Sequence, residues 1–268
     1  MKRLLSCIKR YCSLFLLFAK NSLVAQLEYR INFISSFFVE VGFMVAKLTY
    51  VLLIYKIGVD INGMSPDYIL IFIGTYAIMT GIYMSFYSNL WNISGYIKDG
   101  TLDVLITKPV SLLFITSFRY IDFAMPIPAI VGGTVMVIIG WTRCGIAVSL
   151  LNIVGFCFFL VSGTVLTYAI FLLPRLLSFW IVSSNGVSQI CDSAWDFNNM
   201  PMSIYNRVIK NIGSFLFPVF LITNLPGLFL KGLDFKLAIW GILAPILFFL
   251  LALFVWKRAL KRYTSASS

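Results

Sequence analysis

Apolar residues fill this chain in long blocks separated by short polar turns. Blocks at about residues 31–55, 68–92, 116–141, 146–173 and 237–256 are almost free of charge. As a helix, each is long enough to cross a hydrocarbon core of ~30 Å. Turn-forming residues separate them, as at Gly58, Asp60, Asn62, Gly63, Ser65 and Pro66, and Pro174-Arg175 closes the fourth block. Residues 1–28 read differently. They alternate basic and apolar clusters, with Leu14, Leu17, Phe18, Leu23 and Leu27 at helical spacing. Such a helix suits the membrane interface rather than its interior.

The region 174–230 admits two readings. In one, the unusually polar segment 176–197 crosses and 200–230, broken by Pro201, Gly213, Pro218, Pro226 and Gly227, forms a re-entrant pair of outer helices. In the other, 176–197 lies at the interface and 209–230 crosses. Both give six spans.

Composition agrees with the pattern. Sixty per cent of the 268 residues are hydrophobic and 12% charged, against roughly 25% charged in an average soluble domain. The expected fold class is all-α, a single polytopic membrane domain over residues 1–268 with six transmembrane helices and an N-terminal interfacial elbow helix. The net charge of +11 does not point to nucleic acid, because the basic residues flank spans: Lys2, Arg3, Lys9, Arg10, Lys20 and Arg30 before the first, Lys257, Arg258, Lys261 and Arg262 after the last. Such flanks attract anionic lipid headgroups. Putting both termini in the cytoplasm also places Lys98, Lys108, Arg119 and Arg175 there, and leaves Lys56, Arg143, Arg207, Lys210, Lys231 and Lys236 outside. The positive-inside rule favours that orientation. A cleavable signal is a poor reading of the N-terminus, whose apolar core at 14–19 is too short.

Enzymatic chemistry has little to work with. There is no histidine, and Cys7, Cys12, Cys144, Cys157 and Cys191 are scattered without a CxxC spacing, so no metal or catalytic dyad is expected. No G-x-x-x-x-G-K-[ST] occurs, so the chain has no P-loop for ATP phosphates.

Residues 96–111, YIKDGTLDVLITKPVS, form a polar turn-and-helix segment between two apolar blocks. Gly100 offers a turn, Thr101 a helix cap, and Asp103 a first-turn acid; Leu102, Leu105 and Ile106 form an apolar ridge, and Lys108-Pro109 end the helix. The aromatic-Ile, Gly-Thr-Leu-Asp and Leu-Ile-x-Lys-Pro-Val-Ser pattern resembles the cytoplasmic loop of type-2 ABC exporter permeases. The stretch FAKNSLVAQLEYRINFI at 18–34, the Leu-Pro-Gly at 225–227 and the closing WKRALKRY at 256–263 extend the resemblance along the chain. It implies a coupling helix that docks into a separate ATPase subunit. It also implies ATP and magnesium held by that subunit with no cofactor here, and a second permease, identical or paralogous. In such permeases an elbow helix opens the chain and broken outer helices precede the last span, which favours the first reading of 174–230. A plasma-membrane exporter is the implied function. A secondary transporter would instead show an internal repeat, and none is evident.

Polar residues within apolar blocks are candidates for the pathway or the permease seam. Glu40 and Lys47, seven apart in the first block, share a helix face. Ser178, Asn185, Gln189, Asp192 and Asp196 follow 7-4-3-4 spacing, one stripe if 176–197 is a helix. A stripe of this kind at membrane depth must face protein or water; a membrane-embedded enzyme would have to build its site here. Arg119 and Asp122 are spaced as a local ion pair, and Pro126 with Pro128 as a bend in the third span.

Overall fold

The computed structural model describes residues 2–58, 63–181 and 185–263. Every regular element among them is helical. The helices are α1 (Lys2–Glu28), α2 (Arg30–Ile57), α3 (Pro66–Tyr87), α4 (Ile93–Lys98), α5 (Thr101–Ile106), α6 (Leu112–Phe118), α7 (Pro126–Arg143), α8 (Leu150–Leu176), α9 (Asn185–Ser193), α10 (Arg207–Asn211), α11 (Val219–Lys231) and α12 (Phe235–Arg262). A short 3-10 turn joins α3 to α4, so the two make one 33-residue rod, Pro66–Lys98.

Five helical stretches are long and apolar enough to cross a membrane: α2, the α3–α4 rod, α7, α8 with its 3-10 extension to Phe179, and α12. They run alternately between two ends. One end carries the 95–111 segment (the loop end); the other carries the turns around residues 63 and 145 (the far end). Local signals set the starts. Ser65 accepts the amide of Tyr68 at 3.3 Å with Pro66 at the first helical position, Ser149 caps α8 through Asn152 N–H, and Asp234 caps α12 through the amides of Lys236 and Leu237.

The centre is the antiparallel pair of α3 and α7, and glycines let them touch backbone to backbone. A Cβ on Gly74 would fall 2.6 Å from the carbonyl oxygen of Gly133, and one on Gly140 would fall 2.8 Å from that of Asp67. Close approach through small residues is how helices associate where the surrounding lipid is as apolar as the side chains. The α3–α4 rod is the most buried of the five stretches, and α2 and α12 are mostly exposed.

The third block departs from expectation. Instead of one bent helix it is α6, an unwound stretch 119–125, and α7. Pro126 sits at the first position of α7, where its missing N–H costs nothing, and so starts a helix rather than bending one. The unwinding also breaks the helical spacing of Arg119 and Asp122, and they form no ion pair; Asp122 caps the amide of Ala124 at 2.9 Å instead. The free backbone is satisfied by α1: Ser22 Oγ accepts from Ile121 N–H at 3.1 Å, Gln26 Nε2 donates to Ile121 O at 2.7 Å, and Gln26 Oε1 accepts from Phe123 N–H at 3.0 Å. Irregular backbone near a membrane needs such partners.

The described residues between 177 and 203, namely 177–181 and 185–203, reach from the loop end to the far end as short helical pieces. Phe179 packs on Trp256 and Tyr263 at the loop end, Asp192 meets Arg175, Trp195 meets Tyr76, and Ser203 reaches Met64 Sδ at 3.7 Å at the far end. The nine residues of α9 span only about 14 Å, so the crossing is a broken one. The next pair, Arg207–Leu216 and Val219–Lys231, bends by 96°. It starts just after Ser203 and ends where Lys231 Nζ donates to Gly63 O at 2.7 Å, so both limbs begin and finish at the far end.

Candidate functional site

At the loop end the 95–111 segment folds as a small platform. Gly100 takes the left-handed conformation, φ 69°, which glycine adopts without steric cost, and α5 follows. Thr101 is the first helical residue and makes no side-chain cap; the turn itself is the cap. Asp103 N–H bonds to Gly100 O at 3.1 Å.

The expected apolar ridge divides. Leu102 is fully buried and Leu105 is 5% exposed, whereas Val104 is 58% and Ile106 49% exposed. Leu102 belongs to the main core with Leu90, Ile93, Leu176 and Phe179. The reason is geometric: α4 and the end of α8 lie directly behind α5, so an inward face exists that a free loop would lack. The outward face is therefore Val104, Ile106, Thr107 and Lys108, beside Asp99. Next to it is a concavity of about 600 Å³ lined by Phe18, Gly100, Thr101, Lys108, Pro109 and Arg119 among others.

Three elements hold the platform. From α1, Arg10 donates to Pro109 O, Tyr11 Oη accepts from Ser111 N–H at 3.1 Å, and the Tyr11 ring meets Phe114 edge-on at 4.8 Å. From the α3–α4 junction, buried Asn89 donates to Thr116 O at 2.6 Å and to Ile115 O at 3.2 Å, while its own carbonyl accepts from Tyr96 Oη at 3.0 Å. From α12, Tyr263 lies beside Asp103; burial first, and then that carboxylate, push its phenol above the usual range. Neither Asn89 nor Tyr263 stands out in the sequence, although Asn89, Asn92 and Tyr96 at i, i+3 and i+7 do share a helix face.

A family model described as "ABC-2 family transporter protein" matches residues 41–267, most of the chain. The chain belongs to this family. Among curated proteins and solved structures, nothing matches it. It is thus a transmembrane permease component of an ABC transporter, and the five apolar stretches with their broken companions are its membrane domain.

Within that domain the permease gathers polar side chains around the fifth crossing. Arg175, 2% exposed, pairs with Asp192 at 2.6 Å. Tyr83 Oη also donates to Asp192, at 3.2 Å, and receives Trp91 Nε1–H at 3.2 Å. The Tyr83 ring stacks on Trp195 at 4.8 Å. Sequence reading placed Arg175 as a cytoplasmic flank; only the return of α9 along α8 shows that it is buried. The stripe of polar residues does not survive as one helix. Ser178 lies in a 3-10 turn and donates to Arg175 O at 2.6 Å, Gln189 and Asp196 are exposed, and the side chain of Asn185 falls outside the described residues. Glu40 and Lys47 share a face but form no ion pair: Glu40 is buried, and Lys47 Nζ stands 4.7 Å above the Tyr76 ring.

Proposed function

We propose that the chain is the permease subunit of an ATP-driven exporter, coupled to a separate ATPase subunit through the 95–111 platform. The carrying observation is the exposed apolar pair Val104 and Ile106 on a short helix that is otherwise anchored on its inner side. Exposed apolar side chains on a rigid polar platform are suited to a partner's groove. Because the platform is bonded to α1 and to the α3–α4 junction, and Tyr263 at the end of α12 packs on the same core as Leu102, displacement of α5 by a closing ATPase would be transmitted to those helices as a packing change. ATP and magnesium belong to the ATPase in this reading. The loop end is then cytoplasmic, with both termini on that side and α1 lying along the interface. Exposed Gln189 and Asp196 on the fifth crossing call for cover at membrane depth, which a second permease, identical or paralogous, supplies with the path between the two.

The test is co-purification with the partner ABC ATPase from the source cells. Val104→Asp with Ile106→Asp removes about 1.5–3 kcal/mol of burial per side chain, so ATPase recovery should fall a hundredfold or more while membrane insertion and thermal unfolding stay unchanged. Leu102→Asp should instead lower the yield of folded permease, because it puts a charge into the core. Normal ATPase recovery with the Val104/Ile106 double variant would sink the docking assignment.

A further inference from the structure

We propose that the cavity among α1, α3, α6, α8 and α12 binds an uncharged, flat aromatic molecule that carries a hydrogen-bond acceptor at its edge. The site lies within one chain and is separate from the docking surface on α5.

The cavity holds about 500 Å³, within the range of small-molecule pockets. Five helices wall it with aromatic rings: Tyr11 from α1, Tyr87 from α3, Phe114 and Phe118 from α6, Tyr168 from α8 and Phe249 from α12. The rings brace one another. Tyr11 meets Phe114 edge-on at 4.8 Å, and Phe114 meets Phe118 at 5.4 Å. Tyr168 lies 5.3 Å from Tyr87 and 6.0 Å from Phe249. The Phe118 and Tyr168 planes are within 6° of parallel, with centroids 6.5 Å apart. Each wall ring is thus fixed by a neighbour on another element or the next turn, and the space among them stays open.

The chemistry of the wall selects the ligand. Among the described residues no charged side chain lines the cavity, so a charged group entering it would lose its hydration without gaining a partner. A flat ring gains offset-stacked and edge-on contacts with such walls that a saturated chain cannot make. The tyrosine protons set the polar feature. Tyr87 Oη donates to Thr164 O at 3.1 Å. Ser117 Oγ donates to Leu113 O at 2.6 Å, so its 2.8 Å contact with Tyr168 Oη takes the Tyr168 proton. Tyr11 differs. Its Oη accepts from Ser111 N–H at 3.1 Å, and among the described residues no acceptor takes its own proton. Tyr11 and Ser111 both line the cavity. One available donor on an uncharged aromatic wall calls for an aromatic molecule with a carbonyl or ether oxygen.

The experiment uses the full-length permease in nanodiscs and tritiated 9-fluorenone in a scintillation proximity assay, with empty nanodiscs subtracted. The unlabelled competitors are 9-fluorenone, fluorene, which lacks the acceptor, and perhydrofluorenone, which keeps the ketone and loses the aromatic rings. Fluorenone should compete about tenfold better than the saturated ketone and about threefold better than fluorene. Tyr11→Phe should erase the preference over fluorene and leave fluorene itself unchanged; a merely structural Tyr11 would weaken both alike. Val165→Trp fills the cavity from α8 and should abolish saturable binding of all three. If that variant does not fold, Phe249→Leu on the half-buried wall decides, and should narrow the preference over the saturated ketone about threefold. Absence of saturable fluorenone binding overturns the proposal, as does unaltered affinity in a folded Val165→Trp variant. Equal competition by fluorenone and the saturated ketone also overturns it, and would mark the cavity as a place for acyl chains.

Discussion

At the scale of single residues, burial decides which groups act outward and which hold the molecule together. Leu102 and Val104 are two positions apart on a six-residue helix, and one is in the core while the other faces out. Arg175 shows the same principle with charge. Its guanidinium is buried, bonded to Asp192 and to the carbonyl of Phe171, and its Nε has no partner. Arg175 is 2% and Asp192 38% exposed, so it is loss of the carboxylate that strands a buried charge, at a cost of up to about 3–5 kcal/mol. Asp192→Leu should accordingly lower the thermal stability of the purified permease. The double variant with Arg175→Met should recover a good part of the loss, read as non-additivity in a double-mutant cycle. Additive effects would mean that the two side chains do not act as a pair.

At the scale of elements, the seam between α3 and α7 is set by glycine. A side chain at Gly74 meets the Gly133 carbonyl, the Met136 Cβ and a methyl of Val137 within 2.9 Å, and two of those cannot rotate away. Gly74→Val should separate the helices and cost about 1–3 kcal/mol, seen as a lower unfolding temperature in detergent. Gly95, with open space around its missing Cβ, is the control: Gly95→Ala should leave the unfolding temperature near that of the unaltered protein. A second element-level lesson lies at 119–125. The apolar block at 116–141 suggested one continuous helix, yet Ser22 and Gln26 of α1 supply the bonds that let the backbone unwind. Hydrophobicity alone does not separate a helix from a broken one whose backbone is satisfied by a neighbour.

At the scale of the whole molecule, described residues near the two ends of the chain, Arg10 on α1 and Tyr263 after α12, both lie at the loop end. The proposed orientation can be read with a membrane-impermeant maleimide. Cys7 is exposed on α1, and Ser149 sits at the far-end turn before α8. With the other cysteines replaced, Cys7 should label only in inside-out vesicles, and a Ser149→Cys variant lacking Cys7 only in right-side-out ones. Labelling of both from the same face would break the six-crossing arrangement. Within 174–230, the helices Arg207–Leu216 and Val219–Lys231 form a pair bent by 96°, while Phe179 lies at the loop end and Ser203 at the far end.

What the chain's own pattern settles is what depends on local composition. Long uncharged runs must become satisfied backbone in a lipid solvent, so the helical class and the membrane follow from hydropathy, and the polar 96–111 insertion is legible because it interrupts that pattern. The tertiary structure alone decides what depends on approach between distant segments. Leu102 turns inward because α4 and α8 stand behind it, Arg175 is buried because α9 returns along α8, and Tyr76 gathers Lys47 and Trp195 because three crossings converge there. Periodicity states which residues share a face of one helix. It carries no information about which other helix that face will meet, and that pairing is what brings scattered residues together.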